Sequence, residues 1–183
     1  MNVTTDLDAR FRAVAVAEGL VDVRYDVVAS PVGELHVAAT DRGLCRISYH
    51  GDEWEERLAR GFGVRVLRSP LDEVRRELDE YFAGRRRSFD LPLDLRVADF
   101  PAAVLRELAR VPYGRTDTYG KLAARAGRPR AARAVGTIMN RNPIPIVLPC
   151  HRIVGATGAL TGYAGGLDVK RRLLELEGAM LEA

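Results

Sequence analysis

The segment from Asn142 to Ile153, Asn-Pro-Ile-Pro-Ile-Val-Leu-Pro-Cys-His-Arg-Ile, restricts this chain more than any other stretch. Its apolar run, Ile144 to Leu148, is hydrophobic enough for a core strand. Pro145 and Pro149, however, each remove a backbone donor and fix φ, which leaves the run few backbone alternatives and makes it a poor strand. A stiff segment of this kind suits the presentation of a reactive group, here Cys150 beside His151. A thiol is a strong nucleophile only as thiolate, and an adjacent imidazole or cation is the usual way to favour that form. Cys150 is therefore a candidate nucleophile, expected to titrate below the ordinary ~8.5. The competing account is a cysteine buried as a small hydrophobe, and the rest of the chain has to decide between them.

Hydrophobic periodicity lays out the remaining elements. Leu7, Phe11, Val14 and Ala15 recur at helical spacing, which predicts an amphipathic helix over 6–19 packed on the lobe that follows. Alternating runs at 23–29, 34–40 and 44–49, separated by Ser30-Pro31-Val32-Gly33 and Asp41-Arg42-Gly43, predict an antiparallel meander. Helices are expected over 53–62 and 70–82, with a short strand at 64–67 between them. In the second helix Val74, Leu78, Tyr81 and Phe82 form one apolar face. Residues 83–99 have no periodicity and contain Pro92. A helix over 100–110 then stops at Val111-Pro112-Tyr113-Gly114. Thr118 is a candidate N-cap for a helix over 119–126. Gly127-Arg128-Pro129 breaks the chain briefly before a helix over 130–140, the sequence form of a helix-turn-helix. The expected division is an N-terminal helical extension (1–20), an α/β lobe (21–83), a linker (84–99) and a C-terminal lobe (100–183) carrying Cys150.

The net charge of +3 conceals an asymmetry: residues 1–95 carry −4 and residues 96–183 carry +7. Within 115–141 six arginines and Lys121 face one acid, Asp117. A polyanion-binding lobe joined to an acidic one has this distribution. In Arg130-Ala131-Ala132-Arg133-Ala134-Val135-Gly136 the small residues allow a close approach, either to another helix or to a narrow groove of nucleic acid. No apolar run approaches the ~20 residues of a membrane span. The N-terminus has no apolar signal core, and Cys45 and Cys150 read as cytosolic thiols. A cytoplasmic protein without a membrane partner is expected.

Four stretches accompany Pro149-Cys150-His151-Arg152-Ile153: Arg133-Ala134-Val135-Gly136, Asn140-Arg141-Asn142-Pro143, Gly162-Tyr163-Ala164-Gly165-Gly166-Leu167 and Leu173-Leu174-Glu175-Leu176-Glu177-Gly178. In order and spacing they resemble the O6-alkylguanine-DNA alkyltransferase family. The resemblance runs with little interruption from about Phe100 to Gly178 and is looser from Tyr25 to Phe82. It implies an α/β (α+β) fold: an N-terminal lobe with a small antiparallel sheet and helices, and a mainly helical, winged-helix-like C-terminal lobe with a helix-turn-helix. It also implies double-stranded DNA containing alkylated bases as partner and an alkyl group passed irreversibly from O6-alkylguanine, with O4-alkylthymine a secondary substrate, to Cys150. No metal or organic cofactor is expected, and the protein is expected to act as a monomer.

Carried over residue by residue, the resemblance makes Cys150 the nucleophile and His151 its relay, oriented by Glu177 from the final helix. Asn142 positions the cysteine segment, and Tyr119 donates to the departing purine oxygen. Consecutive residues of an extended segment point apart, so a bridging water rather than direct contact is expected between Cys150 and His151. Arg152 is assigned to structure. Arg133, Ala131, Ala134 and Gly136 are expected in the minor groove, with Arg133 replacing the extruded nucleotide, and Arg128, Arg130, Arg141 and Lys121 at phosphates. Tyr163, Ala164, Gly165, Gly166, Val154 and Met139 are expected to form the base pocket, the glycines admitting backbone amides to the ligand. Ala164 departs from the serine of many relatives. Some members bear zinc in the N-terminal lobe, but Cys45, His36 and His50 lack a metal-ligand spacing and read as a core cysteine and two surface histidines. Three rivals keep part of the pattern: a Cys-His hydrolase, a regulatory helix-turn-helix protein, and a non-enzymatic binder of alkylated bases that recruits other repair factors.

Overall fold

In the computed structural model, residues 3–179 are described, with side chains from Arg10 onward. Helix α1 (Val3–Ala17) leads into strands β1 (Val23–Ser30), β2 (Gly33–Thr40) and β3 (Gly43–Ser48). The expected meander is present: β1 pairs with β2 and β2 with β3, both antiparallel. After helix α2 (Trp54–Phe62), strand β4 (Val66–Arg68) joins the free edge of β1 in parallel, giving the order β3-β2-β1-β4. The sheet is therefore mixed rather than wholly antiparallel. A helical crossover between β3 and β4 permits that direction where a tight hairpin would not.

Strand alternation sends the two faces of this sheet to different cores. Leu35, Val37 and Ala39 of β2, with Leu44 and Ile47 of β3, join a cluster that continues through helix α3 (Asp72–Phe82) into the C-terminal part. Ala38 and Cys45 face the other way, packing with Val23, Trp54 and Leu58 under α2. The expectation for α1 is corrected in part. Ala15 is buried, but Phe11 and Val14 are exposed, and Leu7 lies outside the described side chains. His36 is half-buried against the Trp54 ring, and His50 is exposed.

The connection after α3 has no periodicity because it is held by contacts from outside itself. It lies against β3 through Leu44 N donating to Pro92 O and Asp94 N donating to Leu44 O. Buried Asp94 accepts from the Thr40 hydroxyl at 2.9 Å. A side chain at Gly43 would put its Cβ 2.2 Å from Pro92 O, so that turn residue is needed for the strap to dock.

The remainder is mainly helical: α4 (Asp99–Ala109), α5 (Tyr119–Arg125), α6 (Ala132–Asn140) and α7 (Leu167–Leu176). Thr118 does cap α5, its hydroxyl accepting from Lys121 N at 3.3 Å. Helix α6 starts two residues later than the pattern suggested, since Arg130 lies in the turn and Ala131 is the N-cap. Strand β5 (Asp117–Thr118) pairs in parallel with β6 (Ile153–Val154), which fixes the start of the helix-turn-helix beside the segment that follows Cys150. No helix among the described residues is long and apolar enough to cross a membrane.

Candidate active site

The proline-rich segment is neither strand nor helix. Pro143 O accepts from Ile47 N at 2.8 Å, which attaches the segment to β3, and Leu148 N donates to Ile144 O at 2.9 Å. Between them buried Ile146 is held at φ 76°, a left-handed conformation that a β-branched residue adopts only at a cost of about 1–3 kcal/mol. The surrounding core imposes that strain four residues before the nucleophile. Cys150 to Arg152 then form a single 3₁₀ turn rather than an extended segment.

Cys150 is buried, and its sulfur is held by Asn142. The Asn142 amide donates to Cys150 Sγ at 3.1 Å and to Leu148 O at 2.8 Å, while its oxygen accepts from Ile144 N at 3.1 Å. One side chain thus fixes both the thiol and the backbone that carries it. The thiol pKa runs against expectation. Burial pushes it up to about 11, and the Asn142 hydrogen bond and the charge of Lys170 offset that only in part. Desolvation of a fully enclosed sulfur outweighs the neighbouring polar groups.

Among the described residues, the His151 ring makes no hydrogen bond to the thiol. Its Nε2 lies 2.9 Å from Glu177 Oε1, and its Nδ1 is buried with no partner among the described residues. Burial lowers the imidazole pKa despite the carboxylate beside it, so the ring is neutral. Burial would raise the Glu177 carboxyl, but hydrogen bonds from His151 and Arg152 outweigh it and bring it to about 2. An ionised carboxylate can only accept. Nε2 therefore carries the imidazole proton, and Nδ1 keeps a free lone pair, an assignment made from the hydrogen-bond network.

Glu177 sits just past α7 and collects donors from four places. Arg152 binds it bidentately, Nε to Oε2 at 2.9 Å and Nη2 to Oε1 at 2.8 Å, while Nη1 reaches Val111 O at 2.6 Å. Gly114 N donates to Oε2 at 3.2 Å and the Tyr81 hydroxyl to Oε1 at 2.7 Å. The structural role expected of Arg152 is visible in these contacts. Tyr81 was read only as part of an apolar helix face, and nothing in its spacing marked the hydroxyl. Lys170 was missed for the same reason. It is completely buried, with Nζ donating to Ile153 O at 2.6 Å and Thr161 O at 3.0 Å. Burial lowers its pKa to about 8.

Tyr119 opens α5, with its hydroxyl 2.7 Å from Thr161 Oγ1 and its ring facing Gly136. The Tyr163 hydroxyl lies 2.7 Å from that of Tyr49, which directly follows β3. The glycine pair also meets needs of the fold itself. A Cβ at Gly165 would come within 2.9 Å of the Tyr49 ring, and Gly166 has φ 87° in the turn that starts α7. Packing requires the first glycine, and the left-handed backbone of the turn favours the second. Ala164 is exposed, whereas Val154 and Met139 are buried in the interior.

On the helix-turn-helix, Arg130, Arg133, Arg141 and Lys121 are exposed and have no ion pair among the described residues; Ala134 is also exposed and Ala131 half-exposed. Arg128 lies over the Phe100 ring, 4.4 Å from its centroid. Arg125, by contrast, is neutralised by Asp117 and Glu107. A cationic strip with small residues between the charges thus lies on the helix-turn-helix and ends at Arg141, next to the asparagine that holds Cys150.

Residues 23–95 match the ribonuclease-like domain of 6-O-methylguanine DNA methyltransferase, and residues 99–179 match its DNA binding domain. The chain belongs to this family. A methylated-DNA–protein-cysteine methyltransferase of Methanosarcina barkeri is 41% identical over 162 residues, 84% of this chain and 96% of the relative. Its counterpart from Mycolicibacterium paratuberculosis is 43% identical over 156 residues, 85% of this chain and 92% of the relative. Among solved structures, Mycobacterium tuberculosis OGT in complex with DNA superposes with a TM-score of 0.75 at 41% identity, covering 85% of this chain and 92% of that one. Family membership favours the reactive reading of Cys150 over the inert one.

Proposed function

We propose that this protein repairs DNA by moving the alkyl group of O6-alkylguanine onto Cys150 in a single irreversible turnover. The observation that carries the reading is the Cys150–Asn142 contact next to a neutral His151 whose Nδ1 lone pair is free and whose Nε2 is held by Glu177. In the reaction the sulfur attacks the alkyl carbon in line and a C–S bond forms. The C–O6 bond breaks, and its electron pair leaves on the purine oxygen, which Tyr119 serves as hydrogen-bond donor. The thiol proton passes to His151 Nδ1 through a bridging water. A thioether is a poor leaving group, so no residue here regenerates Cys150.

A stacked base is out of reach of a buried sulfur, so the nucleotide must leave the helix, at a cost of a few kcal/mol. Minor-groove binding by α6, with Arg133 filling the gap, fits a protein that must act without regard to sequence. Arg130, Arg141 and Lys121 supply charge for phosphates, and Tyr163 a wall for the extruded base. O4-alkylthymine is a further candidate substrate. The reading has the protein act as a monomer, without cofactor.

Incubation with an O6-methylguanine duplex is expected to add one methyl group per protein molecule, found at Cys150 by intact-mass analysis and peptide mapping. Product beyond one equivalent, or an unmodified polypeptide after the lesion has gone, would overturn the reading. Replacing Arg133 with Ala is expected to slow transfer from duplex DNA by about tenfold or more while leaving transfer from the free base within about twofold, because only the duplex requires extrusion. Single-turnover rates with both substrates check this.

A further inference from the structure

We propose that Tyr81 is a positioning residue of the alkyl-transfer site, holding Glu177, and through it the His151 ring, from the opposite lobe of the molecule. The inference rests on the function proposed above. Tyr81 lies on α3, 96 positions before Glu177, and is fully buried, with its hydroxyl 2.7 Å from Oε1. That oxygen is also the one facing His151 Nε2. The hydroxyl is thus the only contribution of the sheet-bearing lobe to the carboxylate that orients the histidine, among the described residues.

The placement of Tyr81 is over-determined. Its ring packs against Phe82, Phe89 and Tyr113 at centroid distances of 5.3, 5.4 and 6.1 Å. The aromatic cluster fixes the ring, and the ring aims the hydroxyl. If core filling were the only requirement, phenylalanine would serve as well at this site. A buried tyrosine hydroxyl needs a partner, and here the partner belongs to the reaction site.

The chemical consequence follows from sharing. Two carboxylate oxygens offer about four acceptor positions, and Glu177 receives donors from Tyr81, His151, Arg152 and Gly114. Each extra donor spreads the carboxylate charge and weakens its pull on the imidazole proton. Tyr81 therefore keeps His151 a weaker base than a carboxylate with fewer donors would allow. The charged and titratable groups facing the pair are Arg152 and Cys150 on the same turn, Lys170 from α7, Tyr163 from the loop before it, Tyr113 after α4 and Tyr81 from α3.

The test is Tyr81→Phe, which removes the hydroxyl alone, beside Phe82→Leu, which disturbs the same aromatic cluster without touching the carboxylate. Titration of the His151 ring by imidazole-nitrogen NMR requires no alkyl transfer, so it reads this inference independently of the proposed activity. Tyr81→Phe is expected to move the His151 midpoint to higher pH, and Phe82→Leu to leave it in place. In single-turnover assays Tyr81→Phe should lose roughly threefold to tenfold at pH 6 and less than about twofold at pH 8, with DNA affinity unchanged. An unmoved midpoint, or equal losses at every pH in both variants, would reduce Tyr81 to packing and overturn the inference.

Discussion

Glu177→Gln is expected to melt about 10 °C below the parent protein and to transfer alkyl groups at least 10²-fold more slowly, with little change in DNA affinity. The stability loss follows from the partners. Arg152 is buried and forms two hydrogen bonds to the carboxylate. A neutral amide leaves that guanidinium as an uncompensated buried charge, a change that costs about 3–5 kcal/mol. The amide nitrogen would also point a donor at groups that are themselves donors. The rate loss has a separate origin, since the His151 proton would no longer be fixed on Nε2 and Nδ1 would cease to be the dependable acceptor. Thermal melts and single-turnover kinetics on one preparation separate the two effects. Unchanged melting would mean that the network does not hold the lobes together.

The same carboxylate sets a pH dependence whose sign can be worked out. In the folded state the pKa of Glu177 is lowered to about 2, against about 4.3 in an unfolded chain. Its stabilisation is therefore complete above about 4.3 and disappears as the pH falls through 2, about 3 kcal/mol in all. His151 acts in the same direction at higher pH. Its folded-state pKa is lowered by burial, so the unfolded chain binds the proton first and stability declines as the pH drops below about 6.5. Acid unfolding should accordingly start near the histidine range and steepen in the carboxylate range.

Much of this could be read from the sequence, and the parts that could not share a cause. Local signals identified the meander, the Thr118 cap and the turn between α5 and α6, because each is written in neighbouring residues. The direction of β4 was hidden, since pairing with β1 depends on where α2 carries the chain. Residues 84–99 looked like a free linker because their partners, Leu44 and Thr40, lie some fifty positions away. Cys150, His151 and Glu177 were singled out through motif resemblance. Tyr81, Tyr49 and Lys170 were not, as each looks like ordinary helix or strand material until the fold brings its polar end to the site. The thiol pKa was misjudged for a related reason: adjacency of Cys150 to His151 suggested activation, whereas burial dominates.

That burial makes Lys170 the residue to change next. Lys170→Met is expected to reduce alkyl transfer by about 10²-fold or more while leaving the melting temperature at pH 7 unchanged or higher, the opposite pattern to Glu177→Gln. Lys170 is wholly buried without a carboxylate partner among the described residues, and its charge is among the influences that lower the Cys150 pKa. A buried cation without a permanent anion is costly, and an apolar side chain of similar length avoids that cost. The anion this ammonium can stabilise is the one that exists during reaction, the thiolate. Its own titration provides a second readout. With its folded-state pKa lowered to about 8, against about 10.4 unfolded, the unfolded chain holds more protons between those values. The parent protein should then gain stability as the pH rises across that window, and the methionine variant should not. A large fall in melting temperature with an unchanged transfer rate would instead identify Lys170 as a brace between Ile153 and Thr161, and would leave the thiolate without its counter-charge.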